Sequence, residues 1–396
     1  MNSTAQRVEP GSELPPRPPA VDAEGRVLLK SMTLDELEVW VTKTLGEKRF
    51  RARQLWAWLH NRRVSDFEEM TDLSKAFRQR LSDGARIDAL RLESVHEASD
   101  GTRKILWRTD ADAVIESVWI PTPNRVTLCI SSQVGCAINC QFCLTARMGL
   151  RAHLNTAEIV DQVVQVRRMY EEERRLTNVV FMGMGEPLHN PDNVIPATRI
   201  LYDRQGLDLS ARRITLSTSG LVPQIRRFGA ESRARLAVSL NATTNEVRDW
   251  IMPINRRYPL EELMSALESF PLRKGERITF EYVLLKDVND SLDDARRILR
   301  LTAHIPCKIN LIPFNPHPGT EFVPSPPEQI EAFRALLSSR HASVTVRETR
   351  GDDRMAACGQ LGSPGPRQPK RMDPPEAFRT HIRPSDAPRG PAGDAR

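Results

Sequence analysis

The sequence predicts an α/β fold, a partial barrel of six strand–helix units preceded by a small helical domain, on three observations. Strand-like and helix-like segments alternate from residue 156 to residue 346, and regular alternation of this kind builds a parallel sheet with crossover helices. Before residue 95 the apolar residues recur at a helical spacing instead. Both chain ends are Pro-rich and poor in large apolar side chains, which predicts disorder. The predicted order is a disordered arm over 1–25, a helical domain of RNA-binding type over 26–95, a short β extension over 96–128, the barrel over 129–362 and a disordered Pro- and Arg-rich tail over 363–396.

Lysine and arginine total 57 against 51 acids, a net charge of +6 in 396 residues. That length can bury a substantial core, and the mild basic excess is compatible with an anionic partner such as nucleic acid. No apolar run approaches the ~18 residues of a membrane span, and the first residues lack the apolar centre of a signal peptide. A membrane protein is excluded on this pattern, and a cytoplasmic one is expected.

Within the helical domain, Leu34, Leu37, Val41 and Leu45 follow a capping-box signature from Thr33 to Glu36. A second stripe runs through Phe50, Leu55, Trp58 and Leu59, and a third through Leu73, Phe77 and Leu81. Between them lie Arg49, Arg51, Arg53, Arg62, Arg63, Arg78 and Arg80, which fit phosphate contacts and solvated helix faces equally well. Trp40, Trp56 and Trp58 suit a core better than a base-stacking platform. Strand-like stretches at 104–108, 113–119 and 125–130 are separated by turn signals. Helices are then predicted at 156–173, 194–203, 260–270, 292–303 and 327–337, and strands at 178–184, 213–217, 236–240, 278–285, 308–313 and 343–346.

Residues 129–143 hold four of the six cysteines. Cys136, Cys140 and Cys143, spaced C-x3-C-x2-C, suit a short loop that gives three thiolates to a cubic iron–sulfur cluster and leaves one iron open. A structural zinc site is the alternative that the thiols themselves leave standing, although zinc ligands ordinarily form two separated pairs. Disulfide use is disfavoured in a chain without a secretory signal.

Sites in such a barrel form at the C-terminal ends of strands. Those ends carry Gly183-Met-Gly185-Glu186-Pro-Leu, Ser217-Thr-Ser-Gly, Ser239-Leu240-Asn241 and Asn315-Pro. The glycines permit close backbone approach, while Glu186 and the hydroxyls offer anchors for an ammonium group or a ribose. Cys358 follows the last strand in a loop, whereas Cys307 begins a strand and reads as a small buried hydrophobe.

Together the 129–143 stretch, these strand ends, Asn310-Leu-Ile-Pro-Phe-Asn-Pro and Arg350-Gly-Asp-Asp through Cys358-Gly-Gln-Leu resemble the RlmN/Cfr family of radical S-adenosylmethionine (SAM) RNA methyltransferases. The resemblance covers residues 30–362 and includes Phe50-Arg-Ala-Arg-Gln-Leu-Trp and the 67–75 stretch. It implies a radical SAM barrel with a [4Fe-4S] cluster on Cys136, Cys140 and Cys143 and two SAM molecules per turnover. SAM contacts carry over to Gly185, Glu186, Ser217, Ser239, Leu240, Asn241 and Asn315. Cys358 would be methylated and would then join its carbon to adenine in a covalent RNA adduct. Glu116 would remove a proton, and Cys129 would attack Cys358, freeing the product and leaving a disulfide. On the RlmN side the product is adenine methylated at carbon 2, in 23S ribosomal RNA and in the adenosine following the anticodon of some tRNAs. A Cfr-type relative would methylate carbon 8 instead; residues 143–149 favour the former. A non-catalytic four-cysteine zinc module that binds RNA is the remote alternative. The family also implies an electron-donor protein and a monomer that needs no membrane. Many relatives have Ser-Leu-His where Asn241 stands here, and asparagine cannot titrate near neutral pH. In the tail, Arg367, Lys370 and Arg371 are optional RNA contacts.

Overall fold

The computed structural model describes residues 17–340, 343–363 and 369–378. The chain enters through β1 (Val27–Leu28), and α1 (Leu34–Val39) starts at Thr33, whose hydroxyl accepts the Glu36 N–H while the Glu36 carboxylate accepts the Thr33 N–H at 2.8 Å. This is the expected capping box. α2 (Arg49–Trp56) and α3 (Lys75–Gly84) complete the helical module, and β2 (Ala85–Arg86) closes it by pairing in parallel with β1. Trp56 and Trp58 are buried, as their core reading expects. Several of the arginines are engaged within the module: Arg49 and Arg53 pair with Glu38, Arg80 with Glu47, and Arg62 lies over the Trp58 ring at 3.7 Å.

Next comes an antiparallel meander of β3 (Arg91–Glu97), β4 (Arg103–Arg108), β5 (Val114–Thr122) and β6 (Arg125–Cys129). The cysteine loop follows, bracketed by the short antiparallel pair β7 (Gln133–Val134) and β8 (Ala152–His153). The remaining strands are β9 (Asn178–Phe181), β10 (Ile214–Thr218), β11 (Arg235–Ser239), β12 (Ile278–Leu284), β13 (Cys307–Pro313) and β14 (Val344–Val346). β6 pairs with β9 in parallel, and each later strand adds to the one before it, so a single ten-stranded sheet runs β14-β13-β12-β11-β10-β9-β6-β5-β4-β3. The crossovers are α4 (Thr156–Tyr170), α5 (Pro191–Tyr202), α6 (Val222–Glu231), α7 (Asn245–Ile251), α8 (Leu260–Glu268), α9 (Leu292–Leu301) and α10 (Pro327–Ser338). Six strands from β6 to β13 each lead into a helical crossover, the expected partial barrel.

The boundaries differ from the sequence reading in four places. β3 begins within the stretch assigned to the helical domain and crosses its boundary at residue 95; most of its side chains are exposed, so it lacks the alternation that marks a half-buried strand. α6 and α7 were not expected. Pro223 and Gly229 interrupt the helical signal of the first, and the second has only seven residues. Residues 17–25 of the supposed disordered arm are placed: Arg17 pairs with Glu36 and donates to the Asp192 carbonyl, tying the arm to α1 and α5. Residues 369–378 of the supposed tail also pack on the barrel. Lys370 O accepts from Asn139, Met372 N–H donates to Gln141, Phe378 meets Trp250, and Arg371 is held by Glu321 instead of lying free for RNA. Arg367 falls outside the described residues.

The helical module docks on α4 through buried charge. The side chain of Lys30 is wholly enclosed and bonds to both Asp88, at 2.6 Å, and Asp161. Asp161 also accepts the Ala89 and Leu90 N–H groups and Gln165, while Arg168 bridges Asp88 to the Arg63 and Val64 carbonyls. No helix among the described residues is long and apolar enough to cross a membrane. Removing one partner of a buried pair strands the other charge. Lys30→Met is therefore expected to destabilise the native state by about 3–5 kcal/mol, read from urea unfolding; an unchanged midpoint would show that the network does not hold the module in place.

Candidate active site

The cysteine loop turns where its sequence allows left-handed backbone. Gly135 has φ +74° and Asn139 φ +60°, and a Cβ on Gly135 would stand 1.8 Å from the Gly149 carbonyl oxygen. Glycine is required there. The loop is then stitched to the C-terminal part of the chain: Leu144 N–H donates to Gly359 O at 2.8 Å and Thr145 Oγ1 to Leu361 O at 2.7 Å. These bonds deliver Cys358 to the same place as Cys136, Cys140 and Cys143. All four line one cavity of about 150 Å³ at the C-terminal ends of the strands, partly open to solvent.

Most of the expected strand-end residues line this cavity as well: Gly185, Glu186, Ser217, Ser239, Asn241 and Asn315. Leu240 does not; it is fully buried, with its N–H on Glu281 O. Glu186 is fixed by three bonds, its carboxylate accepting the Ser219 N–H at 2.7 Å and the Leu188 N–H at 3.0 Å, while its own N–H donates to Gln133. Burial nevertheless pushes its carboxyl above the usual range. Asn241 has φ +52°, a left-handed conformation that asparagine tolerates well. Its Oδ1 accepts the Val283 N–H at 2.8 Å, so this side chain ties β11 to β12. Asn315 braces the Cys358 loop by donating to the Cys358 carbonyl at 3.2 Å.

Cys129 and Glu116 are not part of the cavity lining. Cys129 ends β6 in a buried position, its thiol pushed up to about 12 by burial and then by Cys358, with Arg347 opposing. Glu116 on β5 is also buried; burial raises its carboxyl, while Lys104 and the Gly362 N–H act against that. All six cysteines are free, so the disulfide expected between Cys129 and Cys358 is not formed in this state.

Two arginines were missed by sequence reasoning. Arg248, fully buried on α7, donates to Ser219 O at 2.7 Å, Ser239 O at 3.1 Å and Leu240 O at 3.0 Å, clamping two neighbouring strand ends. Burial lowers its guanidinium to about 10. Arg347, one residue past β14, lines the cavity with Glu281 and faces Cys358. Neither is marked by a motif, because each acts through backbone atoms or through groups far away in sequence.

The donor set fits an iron–sulfur cluster. Three thiols from one short loop share the cavity with the polar strand ends, the donor type and spacing such a cluster takes, and burial keeps all three protonated while no metal is bound.

Comparison with known proteins agrees with this geometry. Residues 27–87 match the model of the ribosomal RNA large subunit methyltransferase N-terminal domain, and residues 130–301 that of the radical SAM superfamily. The dual-specificity RNA methyltransferase RlmN of Geotalea uraniireducens is 51% identical over 336 residues, 85% of this chain and 96% of that protein. RlmN of an Anaeromyxobacter species is 48% identical over 92% of this chain and 97% of its own length. A crystal structure of a radical SAM methyltransferase from Sphaerobacter thermophilus superposes with a TM-score of 0.80 at 43% identity, covering 84% of this chain and 98% of that one.

A Cβ on Gly183 would lie 2.7 Å from the carbonyl carbon and oxygen of Ile130, so the turn would have to move away from the cysteine loop. Gly183→Ala is expected to cost about 1–3 kcal/mol of stability through overpacking and to weaken SAM binding. Thermal unfolding and equilibrium dialysis with labelled SAM measure the two effects, and wild-type values in both would refute the requirement for glycine.

Proposed function

The chain belongs to the RlmN family of radical SAM RNA methyltransferases, and on that premise we propose that it methylates carbon 2 of one adenosine in 23S ribosomal RNA and of the adenosine following the anticodon in tRNA. The observation that carries this reading is the shared cavity. Cys358 lies more than two hundred residues from the cysteine loop in sequence, yet it lines the same space as Cys136, Cys140 and Cys143.

Carbon 2 of adenine lies between two ring nitrogens and is too electron-poor to attack a methyl sulfonium. Cys136, Cys140 and Cys143 would hold a [4Fe-4S] cluster, and Glu186 with the Ser217, Ser239 and Asn315 positions would frame SAM. When bound, the cluster and SAM supply a 5′-deoxyadenosyl radical, the hydrogen-abstracting agent that polar chemistry lacks. Cys358 carries the carbon to be transferred, first as an S-methyl group taken from one SAM and then in a covalent link to the base. Glu116 accepts the proton lost from carbon 2. Cys129 then attacks the Cys358 sulfur: the S–S bond forms, the S–CH2 bond breaks, and its electron pair stays on the methylene, which takes a proton to become methyl. Burial keeps the resting Cys129 thiol protonated, so it must lose its proton to act as the nucleophile. The disulfide must be reduced and the cluster supplied with electrons by a donor protein, which a cytoplasmic, monomeric enzyme would meet in solution.

Cys358→Ala is expected to assemble its cluster and bind SAM yet give no methylated RNA; full turnover by that variant would refute the carrier role. Cys129→Ala should accumulate a protein band that retains RNA, and its absence with normal product release would reject the resolving role. Mass mapping of modified 23S rRNA and tRNA should find methyl on carbon 2, an exclusive carbon 8 product being the result that overturns the assignment.

A further inference from the structure

Lys104 and Glu116 lie on neighbouring antiparallel strands. Lys104 is paired with Val118, and Leu106 with Glu116, so the two charged residues are diagonal neighbours on one face of the sheet, within reach of a long side chain. Both side chains are largely enclosed, 14% and 9% exposed. The Lys104 ammonium stands 3.7 Å from Glu116 Oε2, beyond the ~2.7–2.9 Å of a charge-assisted hydrogen bond. It donates instead to the carbonyl of Met355, at 3.3 Å. Glu116 Oε2 is buried and has no hydrogen-bond partner.

Met355 is three residues before Cys358, and its segment is docked on the turn between β3 and β4. Gly351 N–H donates to Asp100 Oδ2 at 3.2 Å, Ser99 N–H to Asp353 Oδ2 at 3.1 Å, and Arg354 Nε to Glu97 O at 2.9 Å. Among these ties, Lys104 is the one whose cation also reaches the carboxylate of Glu116.

A buried general base has two conflicting needs: it must stay ionised, and it must keep a lone pair free for the incoming proton. A direct salt bridge would meet the first and obstruct the second. An ammonium just beyond hydrogen-bond distance meets both, since its field persists while Oε2 stays open. The ionisable groups acting on Glu116 are Lys104 on β4 and His96 on β3, and both oppose the rise that burial imposes.

We propose that Lys104 is the positioning residue for proton removal by Glu116, holding that carboxylate ionised with an open acceptor atom and tying it to the segment that carries Cys358. This rests on the roles of Glu116 and Cys358 given under the proposed function.

The test uses full-length, cluster-loaded enzyme with an RNA hairpin bearing the substrate adenosine. The covalent adduct is formed in a single turnover and its decay is followed on denaturing gels across a pH series, for wild type, Lys104→Met, Lys104→Arg and Glu116→Gln, with iron content as the check on assembly. Loss of the cation raises the Glu116 carboxyl further, so its ionised form needs a higher pH. Lys104→Met is expected to form adduct normally, to resolve it about 10-fold more slowly, and to show a decay profile displaced to higher pH; Lys104→Arg should recover most of the rate. Wild-type decay by Lys104→Met beside a stalled Glu116→Gln would overturn the role of Lys104 alone. Slower decay with an undisplaced profile would reduce Lys104 to a structural tie, and so would also overturn the proposal. Wild-type decay by both variants would overturn the assignment of Glu116 and this inference with it.

Discussion

The geometry around Cys129 depends on β6 belonging to two kinds of sheet at once. One edge pairs antiparallel with β5 and the other parallel with β9, so the meander and the barrel form one continuous surface. Register does the rest. Cys129 is opposite Val118 on one side and Val180 on the other, while Glu116 is two residues from Val118 and Lys104 is opposite it. Because side chains alternate with a period of two, Lys104, Glu116 and Cys129 share one face, on the side where the Cys358 segment docks. A slip of one residue between β5 and β6 would turn Cys129 away from Glu116. Ser131, whose hydroxyl donates to the Glu116 carbonyl at 2.6 Å and accepts the Met184 N–H, pins that register just past the end of β6.

A second constraint is electrostatic. The cavity and its surroundings concentrate buried and half-buried ionisable groups: Glu186, Glu281, Arg248, Arg347 and the cysteines. Burying charge is costly unless it is matched, and the fold meets the cost with backbone dipoles more than with salt bridges. Arg248 is surrounded by carbonyls and Glu186 by N–H groups. Both residues thereby serve as cross-links between adjacent strand ends, and those cross-links hold the loops that a small cofactor must touch. Glu281 follows the same logic through side chains, accepting from Asn310, which in turn accepts from Thr345 across three adjacent strands.

Much of this was legible in the sequence because strand–helix alternation and clustered cysteines are local signals. The barrel strands, the capping box at Thr33 and the strand-end polar residues fall where periodicity and turn chemistry place them. What escaped depends on contacts remote in sequence. β3 is an exposed edge strand with no apolar face to announce it; residues 17–25 and 369–378 have disordered-type composition but are held by a few specific bonds, such as Arg17 to Glu36 and Met372 to Gln141. Leu240 lies outside the cavity lining for a related reason: in a Ser-Leu-Asn strand end the polar residues face the cavity and the leucine between them packs into the core.

Cys129 and Cys358 come from different parts of the chain and stand in different settings. In the cysteine loop either would lie beside Cys136, Cys140 and Cys143 and compete for any metal bound there. Cys129 instead ends a rigid strand, outside the cavity lining, and Cys358 rides on a loop whose backbone turns at Gly351, Met355 and Gly359, all with positive φ. That loop is tied to the cysteine loop at one end and to the β3–β4 turn at the other. Under the proposed roles, a carrier that meets SAM, the base and the resolving thiol in turn needs anchored ends with a turning centre, and a resolving thiol that waits needs a fixed, dry position. The sheet provides the second and the glycine-bounded loop the first.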